Sequence, residues 1–168
     1  MALPRAVHTC TLASIDRPFR VKNSWLLVLL AVALFSPSCV RAESGWITDY
    51  KKAQEEAKAT HKLVLVDFTG SDWCGYCIQL DRFILSKPEF KEYASKNLVL
   101  LEIDFPKRKA QSLELRKQNM ALAERFQIEA FPTLVVLNEE GKALWRYDGF
   151  YEGGVNAFLA ELAKVRKG

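Results

Sequence analysis

Two spacings of apolar residues alternate along the chain from Glu43 onward. Trp46, Tyr50, Ala53 and Ala57 recur at three- and four-residue intervals, which predicts a first helix over 47–60. "KLVLVDF" (Lys62–Phe68) is a nearly unbroken apolar run rich in β-branched residues, the pattern of a strand covered on both faces. After "TGSDW", a helix from about Cys74 to Leu85 places Cys77, Leu80 and Ile84 on one side. Ser86 and Glu89 have the spacing of a capping box, with Pro88 early in a further helix that runs to about Ser95.

The alternation continues with a second buried strand, "LVLLEID" (Leu98–Asp104), and a long amphipathic helix in "QSLELRKQNMALAERF". "TLVVLN" (Thr133–Asn138), the turn "EEGK" and "ALWRYD" predict a hairpin, and Gly149 with "EGG" loosens the chain before a last helix, Val155–Val165. This order argues for an α/β sheet with helices on both faces. The first two strands are joined through helices, so a right-handed crossover makes them parallel neighbours with their carboxyl ends together. Open α/β sheets bind ligands at that end, and "GSDWCGYC" (Gly70–Cys77) follows the first of these strands.

Residues 1–42 follow neither pattern. A basic region ends at Lys22, the apolar run "WLLVLLAVALF" spans Trp25–Phe35, and "SPSCVRA" puts Val40 and Ala42 at small-residue cleavage positions. The expectation is a signal peptide over 1–42, cleaved after Ala42, and a mature domain over 43–168 in the periplasm or secreted. The apolar run is shorter than the ~18 residues of a spanning helix, which disfavours an uncleaved anchor. The alternative processing is a lipoprotein signal ending at Cys39, although Ser36 and Pro37 fit that pattern poorly.

Removing this segment changes how charge and cysteine read. It holds five basic residues (Arg5, Arg17, Arg20, Lys22, Arg41) and one acid (Asp16), so the 24 basic and 20 acidic residues of the chain reduce to 19 of each in 43–168. A neutral domain gives no global support to a nucleic-acid partner. Cys10 and Cys39 leave with the segment, and Cys74 and Cys77 remain as the thiols of a secreted domain.

A Cys-x-x-Cys pair at a helix start suits redox chemistry. Unpaired N–H groups and the positive end of the helix dipole favour thiolate at Cys74, the expected nucleophile. Cys77, one turn further in, is the expected resolving thiol. Zinc needs four ligands, and the mature chain offers these two cysteines and His61. As a static staple, the pair closes too small a loop to remove much unfolded-state entropy.

"VDFTGSDWCGYC", then a second strand ending in Asp104, then "FPTLVVL" and Gly149, together resemble the thioredoxin superfamily over residues 46–166, and the extracytoplasmic thioredoxin-like proteins most. The resemblance implies a thioredoxin fold, an α/β architecture whose central mixed sheet carries helices on both faces. It implies that Pro132 is a cis-proline packed beside the disulfide, with Phe131 offering backbone groups to a substrate strand; the alternative is a trans proline that merely opens a strand. Asp67 falls near the position of the family's buried acid, which exchanges a proton with the resolving cysteine and has a raised pKa if buried. The alternative turns Asp67 outward to cap a loop. One extra residue separates it from Cys74, and Leu100 stands for the family's lysine on the neighbouring strand.

Tyr76 replaces the proline between the cysteines of thioredoxin, restoring a backbone N–H. A less strongly reducing pair is expected. Trp73, Phe150 and Tyr151 are candidates for an apolar docking surface, with Trp73 and Tyr76 nearest the cysteines, whereas Trp145 and Phe158 read as core and His61 as a surface loop residue. "FPKRKAQ" extends the chain beyond thioredoxin at the same sheet end. Lys107, Arg108 and Lys109 there read first as a solvated helix start and second as a rim that selects partners.

The function expected is a thiol–disulfide oxidoreductase acting on cysteine-containing extracytoplasmic proteins, with a membrane-linked thiol reductant, no cofactor or metal, and a monomeric state. Two alternatives are a non-catalytic binding or chaperone module and a disulfide isomerase. The intact pair argues against the first, and the lack of room for a dimerisation domain argues against the second.

Overall fold

The computed structural model describes residues 45–167, so the predicted signal segment, with Cys10 and Cys39, lies outside the described residues. Within them the chain runs β1 (Trp46–Ile47), α1 (Tyr50–Thr60), β2 (Leu63–Thr69), α2 (Gly75–Leu80) continued by a π-helical turn (Asp81–Leu85), α3 (Pro88–Asn97), β3 (Leu98–Asp104), α4 (Leu113–Arg125), β4 (Thr133–Leu137), β5 (Ala143–Asp148) and α5 (Gly154–Lys167). The sheet order is β1-β3-β2-β4-β5. β1, β3 and β2 are parallel, β4 is antiparallel to β2, and β5 is antiparallel to β4, so the sheet is mixed. Thr69 pairs with Asp104, which brings the carboxyl ends of β2 and β3 abreast beneath the cysteine loop.

Alternation along β2 and β3 feeds two cores, one on each face of the sheet. Leu65, Leu100, Leu134 and Val136 meet Leu80, Ile84, Phe90, Phe158 and Leu162 from α2, its π-helical turn, α3 and α5. Val64, Val66, Phe68, Leu101 and Ile103 meet Ala53, Ala57 and Leu122 from α1 and α4 on the other face. Phe90 and Phe158 stack at 6.1 Å between ring centres, both fully buried. Each such aromatic contributes ~1.5–3 kcal/mol through area removed from water.

Three local expectations are corrected. Residues 46 and 47 form β1, and the first helix starts at Tyr50, where the Asp49 side chain accepts the N–H of Lys52 at 3.0 Å. Trp46 packs on the face opposite Ala53 and Ala57, so their shared spacing did not mark one helical stripe. The Ser86–Glu89 capping box does not form. Pro88 opens α3 and makes Lys87 the cap, one residue too late for Ser86, whose hydroxyl donates instead to Asp81. Finally, Lys107–Lys109 lie in an irregular loop, and α4 begins only after Ser112, whose side chain accepts the N–H of Leu115.

Phe150 and Tyr151 are both partly buried against the first core, with Tyr151 5.2 Å from the Phe158 ring, so part of each side chain packs inward. Phe158 is fully buried and Trp145 lies partly buried on the same core; His61 is exposed in the loop after α1.

Candidate active site

Cys74 is the cap residue of α2, and Cys77 sits one turn inside it, joined to Cys74 by a disulfide. The Cys77 N–H donates to Cys74 Sγ at 3.2 Å, and the Gly70 N–H points at Cys77 Sγ at 3.5 Å. A backbone donor at a helix start favours thiolate over thiol. Cys74 is 7% exposed and Cys77 4%, so both are shielded and Cys74 is the more accessible.

The Phe131–Pro132 peptide is cis, and the Phe131 carbonyl oxygen lies 3.7 Å from Cys74 Sγ. Pro132 is buried, and its carbonyl accepts the Gly149 N–H at 2.7 Å. Phe131 is half-buried and meets Trp73 edge-on at 6.0 Å and Phe105 at 5.1 Å. Trp73 remains 37% exposed and Tyr76 64%, so two aromatic side chains flank the disulfide on its solvent side.

Asp67 points inward. It is 7% exposed, and its Oδ1 has no hydrogen-bond partner among the described residues. Burial, and then the negative charges of Glu102, Asp81 and Asp104, push its pKa from the ordinary 3.8 up to about 8. The outward, loop-capping alternative is therefore overturned. The residue paired with Asp67 across β3 is Glu102, while Leu100 pairs with Leu65. Glu102 is itself half-buried, and desolvation followed by Asp104 raises its pKa.

The cysteine loop is strapped to the end of β3 and the loop after it by three consecutive residues. Ser71 donates through its N–H and its hydroxyl to the two oxygens of Asp104, at 2.9 and 2.6 Å. The Asp72 carboxylate accepts the backbone N–H groups of Lys107, Arg108 and Lys109 at 3.0, 2.7 and 3.1 Å. These bonds, the one from Lys107 foremost, hold its pKa below the ordinary carboxylate value. Trp73 Nε1 donates to the Phe105 carbonyl at 2.8 Å, and the Lys107 ammonium lies 3.8 Å from the centre of the Trp73 ring. Asn119, which is buried, and Gln111, which is partly exposed, both donate to the Asp104 carbonyl, which fixes the end of β3 from the α4 side.

Thus the residues singled out from the sequence, Cys74, Cys77, Asp67, Trp73, Tyr76, Phe131 and Pro132, gather around the carboxyl ends of β2 and β3. Gly70, Ser71, Asp72, Glu102 and Asp104 were missed. Glu102 was visible in principle, because in-register pairing of two seven-residue strands sets it opposite Asp67. Asp72 carried no comparable signal, since its partners are backbone groups thirty-five to thirty-seven residues away.

The family model described as a Thioredoxin-like domain matches residues 50–166. The Disulfide bond reductase DsbH of Chlamydia pneumoniae is 39% identical over 118 residues, covering 70% of this chain and 70% of that protein. The Thioredoxin-related protein DsbJ of Chlamydia pneumoniae is 30% identical over 136 residues, which are 77% of this chain but 39% of that longer protein. Among solved structures, the DsbH Oxidoreductase superposes with a TM-score of 0.68 at 38% identity, over 73% of this chain and 83% of that one. With a disulfide between Cys74 and Cys77 at the start of α2 and a cis proline beside it, the chain belongs to the thioredoxin-like family and is a thiol–disulfide oxidoreductase.

Proposed function

We propose that the domain works outside the cytoplasm, reducing or exchanging disulfides of exported proteins after a signal peptide over 1–42 is cleaved following Ala42. The observation that carries this reading is the Cys74–Cys77 disulfide at a helix start, with the Phe131 carbonyl 3.7 Å from Cys74 Sγ. The reductase name of the Chlamydia pneumoniae relative supports the reductive direction. No helix of the described residues is long and apolar enough to cross a membrane.

In the reductive direction the Cys74 thiolate attacks one sulfur of a substrate disulfide and expels the other as thiolate, giving a mixed disulfide. The Cys77 thiol then loses its proton and attacks Cys74 Sγ. The Cys74–Cys77 bond forms, and the second substrate sulfur leaves, so two electrons have passed to the substrate. The ionised form of Asp67 accepts the Cys77 proton, as a buried carboxyl with a pKa of about 8 is matched to a thiol. Phe131 and Pro132 present backbone to the substrate strand, and Trp73 and Tyr76 flank it. A membrane-linked dithiol donor returns the pair to its reduced form.

The test is to express the full chain with Cys77→Ser, which stops the second step. Mixed disulfides between Cys74 and exported proteins should accumulate on non-reducing gels, and the wild type should reduce insulin. A wild type inactive on insulin, together with a variant that traps nothing, returns the domain to the non-catalytic binding reading.

A further inference from the structure

The domain over 43–168 is neutral, yet three consecutive cations stand beside its nucleophile. Lys107, Arg108 and Lys109 are exposed, and none takes part in the ion pairs found among the described residues. The carboxylate beneath their loop, Asp72, is already engaged by their backbone N–H groups. Asp72 therefore fixes the course of the loop and draws its donors inward, leaving Lys107 with the Trp73 ring and no carboxylate, and Arg108 with no side-chain partner among the described residues. Lys109 is partly engaged, its ammonium lying 3.1 Å from the Ser71 hydroxyl.

The position of these cations is tied to the reaction. Lys107 lies over Trp73, the residue before Cys74, and Trp73 meets Phe131, whose carbonyl adjoins Cys74 Sγ. Behind the rim is a groove of about 230 Å³ lined by Phe105, Pro106, Lys109, Gln111, Arg116 and Met120. It combines Lys109 and one further cation, Arg116, with an apolar floor.

We infer that Lys107 and Arg108, held by Asp72, form a specificity rim that selects acidic polypeptide segments flanking the substrate's disulfide. This rests on the oxidoreductase reading. Cations next to the attacked bond raise the encounter rate of an acidic substrate and hold its backbone alongside Phe131, while they repel a basic one. Asp72 is a positioning residue: it touches no substrate, and it sets where the rim stands.

The experiment uses the reduced full-length protein and three short peptide disulfides that differ only in flanking residues: paired glutamates, paired serines or paired lysines. At low salt the wild type should show kcat/KM in the order glutamate, serine, lysine. Glutamate should exceed serine by about threefold to tenfold, and the preference should collapse as salt shortens the screening length. Lys107→Glu with Arg108→Glu should invert the order, with the change carried by KM. Lys107→Ala with Arg108→Ala should level it, which covers the case in which charge reversal disturbs folding. Asp72→Asn should shrink the glutamate preference with Lys107 and Arg108 still in place.

Equal kcat/KM for the three peptides in the wild type, or a preference that survives both rim variants, overturns the inference while leaving the oxidoreductase reading intact. Failure to reduce any of the three removes both. Binding to anionic phospholipid vesicles without selectivity among the peptides would reassign the rim to a membrane surface and overturn it as well.

Discussion

Asp67 and Glu102 are register partners on adjacent parallel strands, two acids facing the same side of the sheet beneath the cysteine loop. Every charged group that acts on Asp67 is negative, and its Oδ1 lacks a hydrogen-bond partner among the described residues. Neutral Asp67 is therefore the form that the fold favours, and the sign of its pH dependence follows. The folded pKa of about 8 lies above the ordinary 3.8, so between these values the native state holds a proton that the unfolded chain has lost. Stability from this group is fully present below pH 3.8 and declines as pH rises towards about 8.

Asp67→Asn should flatten that decline, raising stability at neutral pH by on the order of 2 kcal/mol, a fraction of the whole shift at ~1.4 kcal/mol for each pKa unit. Urea unfolding across the interval from pH 3.8 to about 8 measures it. The same variant should slow resolution of the mixed disulfide by roughly tenfold or more, as expected when a general base is lost. An unchanged pH slope would mean that Asp67 is ionised in the native protein.

Glu102→Gln removes the second-largest cause of the raised Asp67 pKa. The Asp67 titration, followed by carboxyl carbon NMR, should move to lower pH. The pH dependence of the resolving step should move with it.

Gly70 has no room for a side chain. A methyl group there would stand 2.6 Å from Trp73 Cε2 and 2.7 Å from Nε1, with the indole held in place by its bond to Phe105. Gly70→Ala should cost ~1–3 kcal/mol, the usual range for overpacking. It should also displace Trp73, so tryptophan fluorescence and insulin reduction should change together.

Asn119→Ala withdraws one of the two side-chain donors to the Asp104 carbonyl and opens a gap at a buried position. A loss of ~1–3 kcal/mol is expected from thermal unfolding. The rim beyond Asp104 should loosen, seen as faster amide exchange at Lys107–Lys109.

The strands that frame the site were legible because their apolar runs are long and bounded: β3 occupies Leu98–Asp104 as its pattern indicates, and β2 is displaced by one residue. The cysteine pair was legible because its spacing and its place after a strand carry the chemistry. β1 was not legible, since two residues cannot display an alternation and Trp46 happened to share a spacing with α1. The pairing of Asp72 with Lys107–Lys109 was hidden for a different reason. Its donors are peptide N–H groups, which every sequence but proline supplies, so no side chain announced them.

Ser71, Asp72 and Trp73 each reach a different part of Asp104–Lys109, so these two segments form one unit that would have to be transplanted whole. A protein engineer grafting the Trp-Cys-Gly-Tyr-Cys loop alone onto another thioredoxin scaffold would move the two sulfurs and leave behind the piece that seats the indole. Moved together, residues 70–77 and 104–111 make a cassette that carries its own carboxylate latch, and shuffling between relatives should succeed when both halves come from the same parent.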